Sequence, residues 1–221
     1  GQMADAMKVD VCGLTEITGN TFDNSANTKA GTTGAFIHDS EIDFSSNTIE
    51  DYENGVEYYD FGSNPSYLTM NLFDGNDYSL VVASEGHPLT QSNYNSQINL
   101  NIHCNKFHNT TVGILGMGLL QDQGSSSEDA ANDFQNCQDW RMLWYCNFAS
   151  YVNYYHNASP DPTVHSNPKV SYDFNGTNVS STDINTFTSS ANYCFGTWIP
   201  SFSGLDEKPE SNISELLVYP N

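Results

Sequence analysis

One tripeptide returns along this chain at intervals that suit a coil and little else. Asn-x-Phe/Ile occurs as Asn20-Thr21-Phe22, Asn47-Thr48-Ile49, Asn71-Leu72-Phe73, Asn105-Lys106-Phe107 and Asn185-Thr186-Phe187. The first four begin 27, 24 and 34 residues apart. Three positions before the Asn stands an apolar residue in four copies: Ile17, Phe44, Leu68 and Ile102. Eight and nine positions after it come a small residue and an aliphatic one, as Gly55-Val56, Ser79-Leu80 and Gly113-Ile114. The first copy carries an insertion, Ser25 to Thr33, which delays its equivalent to Gly34-Ala35-Phe36. A recurring motif at coil-length intervals with shared flanking offsets is the signature of a stacked repeat.

Each repeat reads as short strands joined by corners. A strand ends, and the Asn takes a left-handed corner, a backbone state that costs most other residues about 1–2 kcal/mol. The Phe or Ile two residues on points inward by the period-2 rule. Stacking places Asn over Asn, so inward amides can hydrogen-bond up the column rather than lie buried without partners. No 3.6-residue period competes over these stretches. The 26 Asn and 16 Gly fit a fold of many tight turns and few helices.

These residues resemble the repeat of right-handed parallel β-helix proteins, the pectate-lyase-like solenoids with asparagine ladders. The resemblance covers Val9 to Gln121 well and implies an all-β solenoid over residues 1–200, whose turn ladder is Asn20, Asn47, Asn71, Asn105 and Asn185. Between residues 124 and 168 the pattern fades, with 124–133 read as an excursion loop. It recovers around Asn185, where Thr182 replaces the apolar residue. The aromatic group Trp140, Trp144, Tyr145, Phe148, Tyr151, Tyr154 and Tyr155 reads as packing or an end cap.

Charge narrows the function. With 27 Asp+Glu against 6 Lys+Arg, net −21, the chain cannot assemble a basic patch, so nucleic acid is excluded as a partner. The longest uncharged apolar stretch, Val112 to Leu120, falls far short of the roughly 20 residues of a membrane helix. Abundant aromatics separate the chain from disordered acidic tails. An acidic, Asn-rich, Lys-poor composition looks exported. In that setting Cys137 and Cys146 could close a small loop; the alternative is that most of the five cysteines are buried as small apolar groups.

Catalytic patterns are weak. A polyuronate lyase needs cationic side chains that this surface lacks, and Lys106, beside Phe107 on an outward position, reads as a solvated strand residue. A glycoside hydrolase needs only two carboxylates at the right separation, and Asp60, Asp74, Asp77 and Glu85 would share a face if their coils stack in register. A hydrated acidic face is the plainer reading, so no catalytic residue is assigned. Asp74-Gly75-Asn76-Asp77 resembles part of a calcium loop without its downstream ligands and reads as a turn. His103 and His108 have a weak metal spacing. Neither a metal nor any other cofactor is assigned, calcium being the one cation considered.

Residues 201–214 read as a linker rich in Gly, Pro, Ser and charge. Residues 215–221 follow, with Leu217, Val218, Tyr219, Pro220 and Asn221. This string is similar to the opening strand of the C-terminal sorting domain of type IX secretion cargo in Bacteroidetes. The resemblance implies a truncated sorting domain, a cell-surface location at a Gram-negative outer membrane, and as partners the type IX translocon and its outer-membrane shuttle barrel. It also implies that the solenoid is one part of a larger chain. The leading expectation is a non-enzymatic cargo, adhesin-like or spacer segment. The alternative is a carbohydrate-active enzyme of glycoside-hydrolase type or a glycan-binding module.

Overall fold

The computed structural model describes residues 4–10, 12–59, 65–83, 97–127, 130–145, 152–156, 171–172, 178–179 and 184–188. The first coil contains β1 (Ala4–Asp10), β2 (Thr15–Thr18) and β3 (Thr21–Asp23). The second contains β4 (Thr32–His38), β5 (Ile42–Ser45) and β6 (Thr48–Glu50), and the third β7 (Asn54–Tyr59), β8 (Ser66–Thr69) and β9 (Leu72–Asp74). The fourth adds a short strand: β10 (Tyr78–Ala83), β11 (Gln97–Ile98), β12 (Leu100–His103) and β13 (Lys106–His108). Then come β14 (Val112–Met117), β15 (Leu119–Leu120), β16 (Asp133–Gln135), β17 (Trp140–Tyr145) and β18 (Val152–His156).

Equivalent strands stack into three parallel sheets. They are six-stranded β1-β4-β7-β10-β14-β17, four-stranded β2-β5-β8-β12 and five-stranded β3-β6-β9-β13-β16. This is a right-handed parallel β-helix, all-β, as the repeat implied. Strand β11 pairs with β15, and β18 with Ile184–Thr188, both parallel. The coil runs on through residues where the sequence pattern fades, since β16 and β17 extend the five- and six-stranded sheets.

Register puts like over like inside. The four-stranded sheet contributes Ile17, Phe44, Leu68 and Ile102, each directly over the next and all buried. The five-stranded sheet contributes Phe22, Ile49, Phe73, Phe107 and Phe134. The last three rings stack at 5.0 Å centroid spacing. Glycine at the entry to the six-stranded sheet answers a close backbone approach. A Cβ on Gly55 would lie 2.4 Å from the Ser79 carbonyl oxygen, and one on Gly113 2.5 Å from that of Arg141.

The asparagine column forms, with one change in how it works. Backbone N–H groups of Asn20, Asn47, Asn71 and Asn105 donate to Oδ1 of Asn47, Asn71, Asn105 and Asn132 at 2.9–3.0 Å. Each Nδ2 repeats the contact at 3.0–3.2 Å. The left-handed corner belongs to the preceding residue: Gly19, Ser46, Met70, Cys104 and Ala131 have φ between 49° and 69°. The Asn is therefore chosen for its amide, which also reaches down to a carbonyl of the earlier coil, as Asn71 Nδ2 does to Phe44 O at 2.9 Å. Asn132 is a fifth rung, and its tripeptide Asn132-Asp133-Phe134 stands in the sequence without the apolar residue three positions before. Asn185 pairs with Asn153 through the backbone, and its side chain lies outside the description.

Candidate functional site

Among the described residues the most buried acid is Glu57, 2 % exposed on the outer face of β7. Its neighbours Val56 and Tyr58 point into the core, so Glu57 points out. Oε1 accepts from Thr33 Oγ1 at 2.8 Å and Asn54 Nδ2 at 2.7 Å, and Oε2 accepts from Tyr59 OH at 2.6 Å. Burial and the Glu57 charge push the Tyr59 phenol well above its ordinary range, so it stays a donor. Burial, then the Glu57 charge, also raises the Asp5 carboxyl. Beside this network lies an apolar patch of Tyr59, Val81, Ala83 and Met117 on the same outer face. A carboxylate with both oxygens engaged by fixed donors is a structural pin, since attack or proton transfer needs an oxygen turned to the substrate.

The acids singled out in the sequence do not converge as a pair. Asp74 Oδ1 accepts from Asn109 Nδ2 at 2.7 Å, whereas Asp77 lies 3.6 Å from Lys29. Asp60 and Glu85 lie outside the described residues. Asp74 instead belongs to an outward column, Asp23–Glu50–Asp74. Burial first, then the charges of Asp23, Asp74 and Asp51, raises the Glu50 carboxyl. Lys29 answers this crowding. It rides on the insertion, lies 3.8 Å from Asp51, and donates to the Gly75 carbonyl. The Asp74–Asp77 segment is a corner: Gly75 takes φ 68°, and Asn76 Oδ1 accepts from Tyr52 N at 3.0 Å while its Nδ2 holds Ile49 O at 2.9 Å. Lys106 is exposed.

A second outer face, on the four-stranded sheet, carries two rows set two residues apart. One is Glu16–Asp43–Tyr67–Asn101, the other Thr18–Ser45–Thr69–His103. Both are exposed in the first coil, and Asp43, Tyr67 and Asn101 are half-buried, but Thr69 is only 1 % exposed. Burial on this face thus rises from the first coil to the third. Asp43 Oδ1 and Thr69 Oγ1 are buried without a hydrogen-bond partner. Burial raises the Asp43 carboxyl against the lowering effect of Ser45, and burial holds His103 down to about 4, so its ring is neutral near pH 7. His108 faces elsewhere, 3.1 Å from Asp133. No group of three or more His, Cys, Asp or Glu suited to a metal occurs among the described residues.

The cysteines correct the expected bridge. Cys137 is a free thiol, so it does not pair with Cys146, which lies outside the described residues. Cys137 takes the inward corner position held by Asn76 two coils earlier, and its Sγ lies 3.7 Å from Phe107 O, much as Asn76 Nδ2 serves Ile49 O. Burial pushes its thiol up to about 11, which keeps it unreactive. The disulfide-bonded residue is Cys104, in the ladder corner beside His103. Its partner is not among the described residues, where Cys12 and Cys137 are free.

A family model described as "Protein of unknown function (DUF1565)" matches residues 5–156, more than half of the chain. The chain belongs to the DUF1565 family. No curated protein and no solved structure matches it. The DUF1565 match takes in every ladder rung from Asn20 to Asn132, the Glu57 network, Lys29, Cys104 and the outer face of the four-stranded sheet. It ends before Asn185 and before Leu217, Val218, Tyr219, Pro220 and Asn221, and those last five also lie outside the described residues. Sequence reading missed Glu57, Asn132 and the burial of Thr69. Only Asn132 carried a local signal, because burial of an outward residue is set by what covers it.

Proposed function

We propose that this chain is a non-enzymatic, exported solenoid that presents its outer faces at the cell surface, adhesin-like, as part of a larger type IX secretion cargo. The observation that carries the reading is the disulfide at Cys104: such bonds persist in oxidising compartments and are rare where thiols are kept reduced. The net charge of −21 agrees with a solvated exported surface. The saturated Glu57 argues against hydrolysis at the six-stranded face. The type IX route rests on the resemblance at Leu217–Asn221, through which a sorting domain would engage the translocon and shuttle barrel.

Shaving intact cells of the source bacterium with protease, with and without a working type IX translocon, tests this. Surface exposure in the parent and retention inside translocon-deficient cells is the expected result. A cytosolic pool with reduced Cys104 would overturn it.

A further inference from the structure

The six-stranded sheet holds three buried groups whose joint chemistry an adhesin-like role leaves unused. Thr33 and Asn54 are register partners on the neighbouring parallel strands β4 and β7. Both donate to one oxygen, Oε1 of Glu57, at 2.8 and 2.7 Å. All three residues are buried, Thr33 completely. Sharing an acceptor brings the Thr33 hydroxyl oxygen and the Asn54 amide nitrogen to roughly 4–5 Å of one another. Asn54 Oδ1 is itself buried without a hydrogen-bond partner. An unmatched buried acceptor costs about 1–3 kcal/mol, so the amide form of this side chain is held at a cost.

An alcohol, a carboxamide and a carboxylate bonded to both are the parts of an acyl transfer within the chain. No outside substrate enters, so the enclosure that bars Glu57 from hydrolysis works in favour of this step by keeping water out. Glu57 Oε1 takes the proton of Thr33 Oγ1 as that oxygen attacks Cγ of Asn54 and a C–O bond forms. The proton passes to Nδ2, the C–N bond breaks and ammonia leaves. Thr33 and Asn54 end joined by an ester, and Glu57 is regenerated. Tyr59 holds Oε2 at 2.6 Å and fixes the carboxylate for both transfers. Attack needs Oγ1 about 3–3.5 Å from Cγ, a side-chain rotation away from the hydrogen-bonded position. A Thr–Asn ester places as many atoms between the two Cα as a disulfide, which bridges about 4.4–6.8 Å, and paired strands lie about 4.7–4.9 Å apart. An ester carbonyl is also a weaker acceptor than an amide, so the unmatched oxygen costs less in the product.

We propose that Thr33 and Asn54 form an intrachain ester across β4 and β7, with Glu57 as the residue that moves the proton. The bond ties the second coil to the third, and it stands or falls apart from the export reading. The test is the intact mass of the purified, reduced 221-residue chain, followed by a peptide map cut after Glu, which parts the two residues at Glu41, Glu50 and Glu53. The parent should be lighter than its sequence by one ammonia, and the peptide holding Thr33 should be joined to the one holding Asn54 until mild alkali adds water and separates them. Thr33→Ser, which keeps the hydroxyl, should also lose ammonia, whereas Thr33→Val and Glu57→Gln should keep the full mass. A parent at full mass overturns the proposal whether or not any variant folds. Ammonia lost without joined peptides, or lost equally in Thr33→Val, would belong to a cyclic imide at Asn54-Gly55 and overturn it too. Equal loss in Glu57→Gln would remove Glu57 from the step and overturn the mechanism.

Discussion

At the scale of single residues, the ladder amides carry more than their size suggests. Asn71 Oδ1 satisfies Asn47 N and Nδ2, and its own Nδ2 satisfies Phe44 O. Asn71→Ala therefore strips partners from several buried groups at once, and urea unfolding should show a loss of about 3 kcal/mol or more. Asn20→Ala, at the exposed end, should lose far less. His103 gives a second test. Its folded pKa, about 4, lies below the ordinary 6.5, so the stability of keeping the ring neutral is complete above about pH 6.5. It is lost as pH falls through about 4, at up to about 1.4 kcal/mol per pH unit. The difference between wild type and His103→Gln should follow that window. A flat difference would place the ring in a less buried setting. Residue roles were only half legible: the position of each ladder Asn could be read, but the left-handed corner was assigned to the Asn itself. The structure gives it to Gly19, Ser46, Met70, Cys104 and Ala131, which share no side-chain chemistry and so leave no pattern to read.

At the scale of elements, strands of three or four residues hold because the inner ones, β5, β6, β8, β9 and β13, are stacked on both sides, and the insertion at 25–33 adds a brace. Asn24 Nδ2 reaches Asp51 O at 3.1 Å, Gly31 N donates to Glu53, and Lys29 spans Asp51 and Asp77. These ion pairs are more than a third exposed, so Lys29→Met should cost about 0.5–1 kcal/mol. The cost should shrink in high salt, where the column Asp23–Glu50–Asp74 repels itself less. A salt-independent loss would assign the role of Lys29 to packing. The sequence marked this insertion as an interruption of the repeat, yet could not show that it folds back over later coils. Pairings between residues 46 apart, such as Lys29 with Gly75, have no local signal. The inward columns were readable, because period 2 and like-over-like stacking leave their mark on Ile17, Phe44, Leu68 and Ile102. The burial of Thr69 on the outer face was not, because Asp43 and Thr69 look like any solvated pair until something covers them.

At the scale of the whole molecule, one covalent tie and a repeating backbone divide the work. Five cysteines with one disulfide leave three thiols, so thiol titration of the denatured, unreduced chain should find three, and five after reduction. Reduction should lower thermal stability, since the bond restricts the unfolded chain. Unchanged melting would mean that the bond joins segments which add nothing to the folded core. The ladder has a direction: in every rung the backbone N–H and Nδ2 of the earlier Asn donate to Oδ1 of the later one, and the later Nδ2 donates back to a carbonyl of the earlier coil. That polarity bears on mechanical load. Tension along the stack pulls each coil from the next across the same short set of amide bonds, so the molecule should yield coil by coil under force. The first three coils, cross-braced by Lys29, should be the last of the ladder to peel.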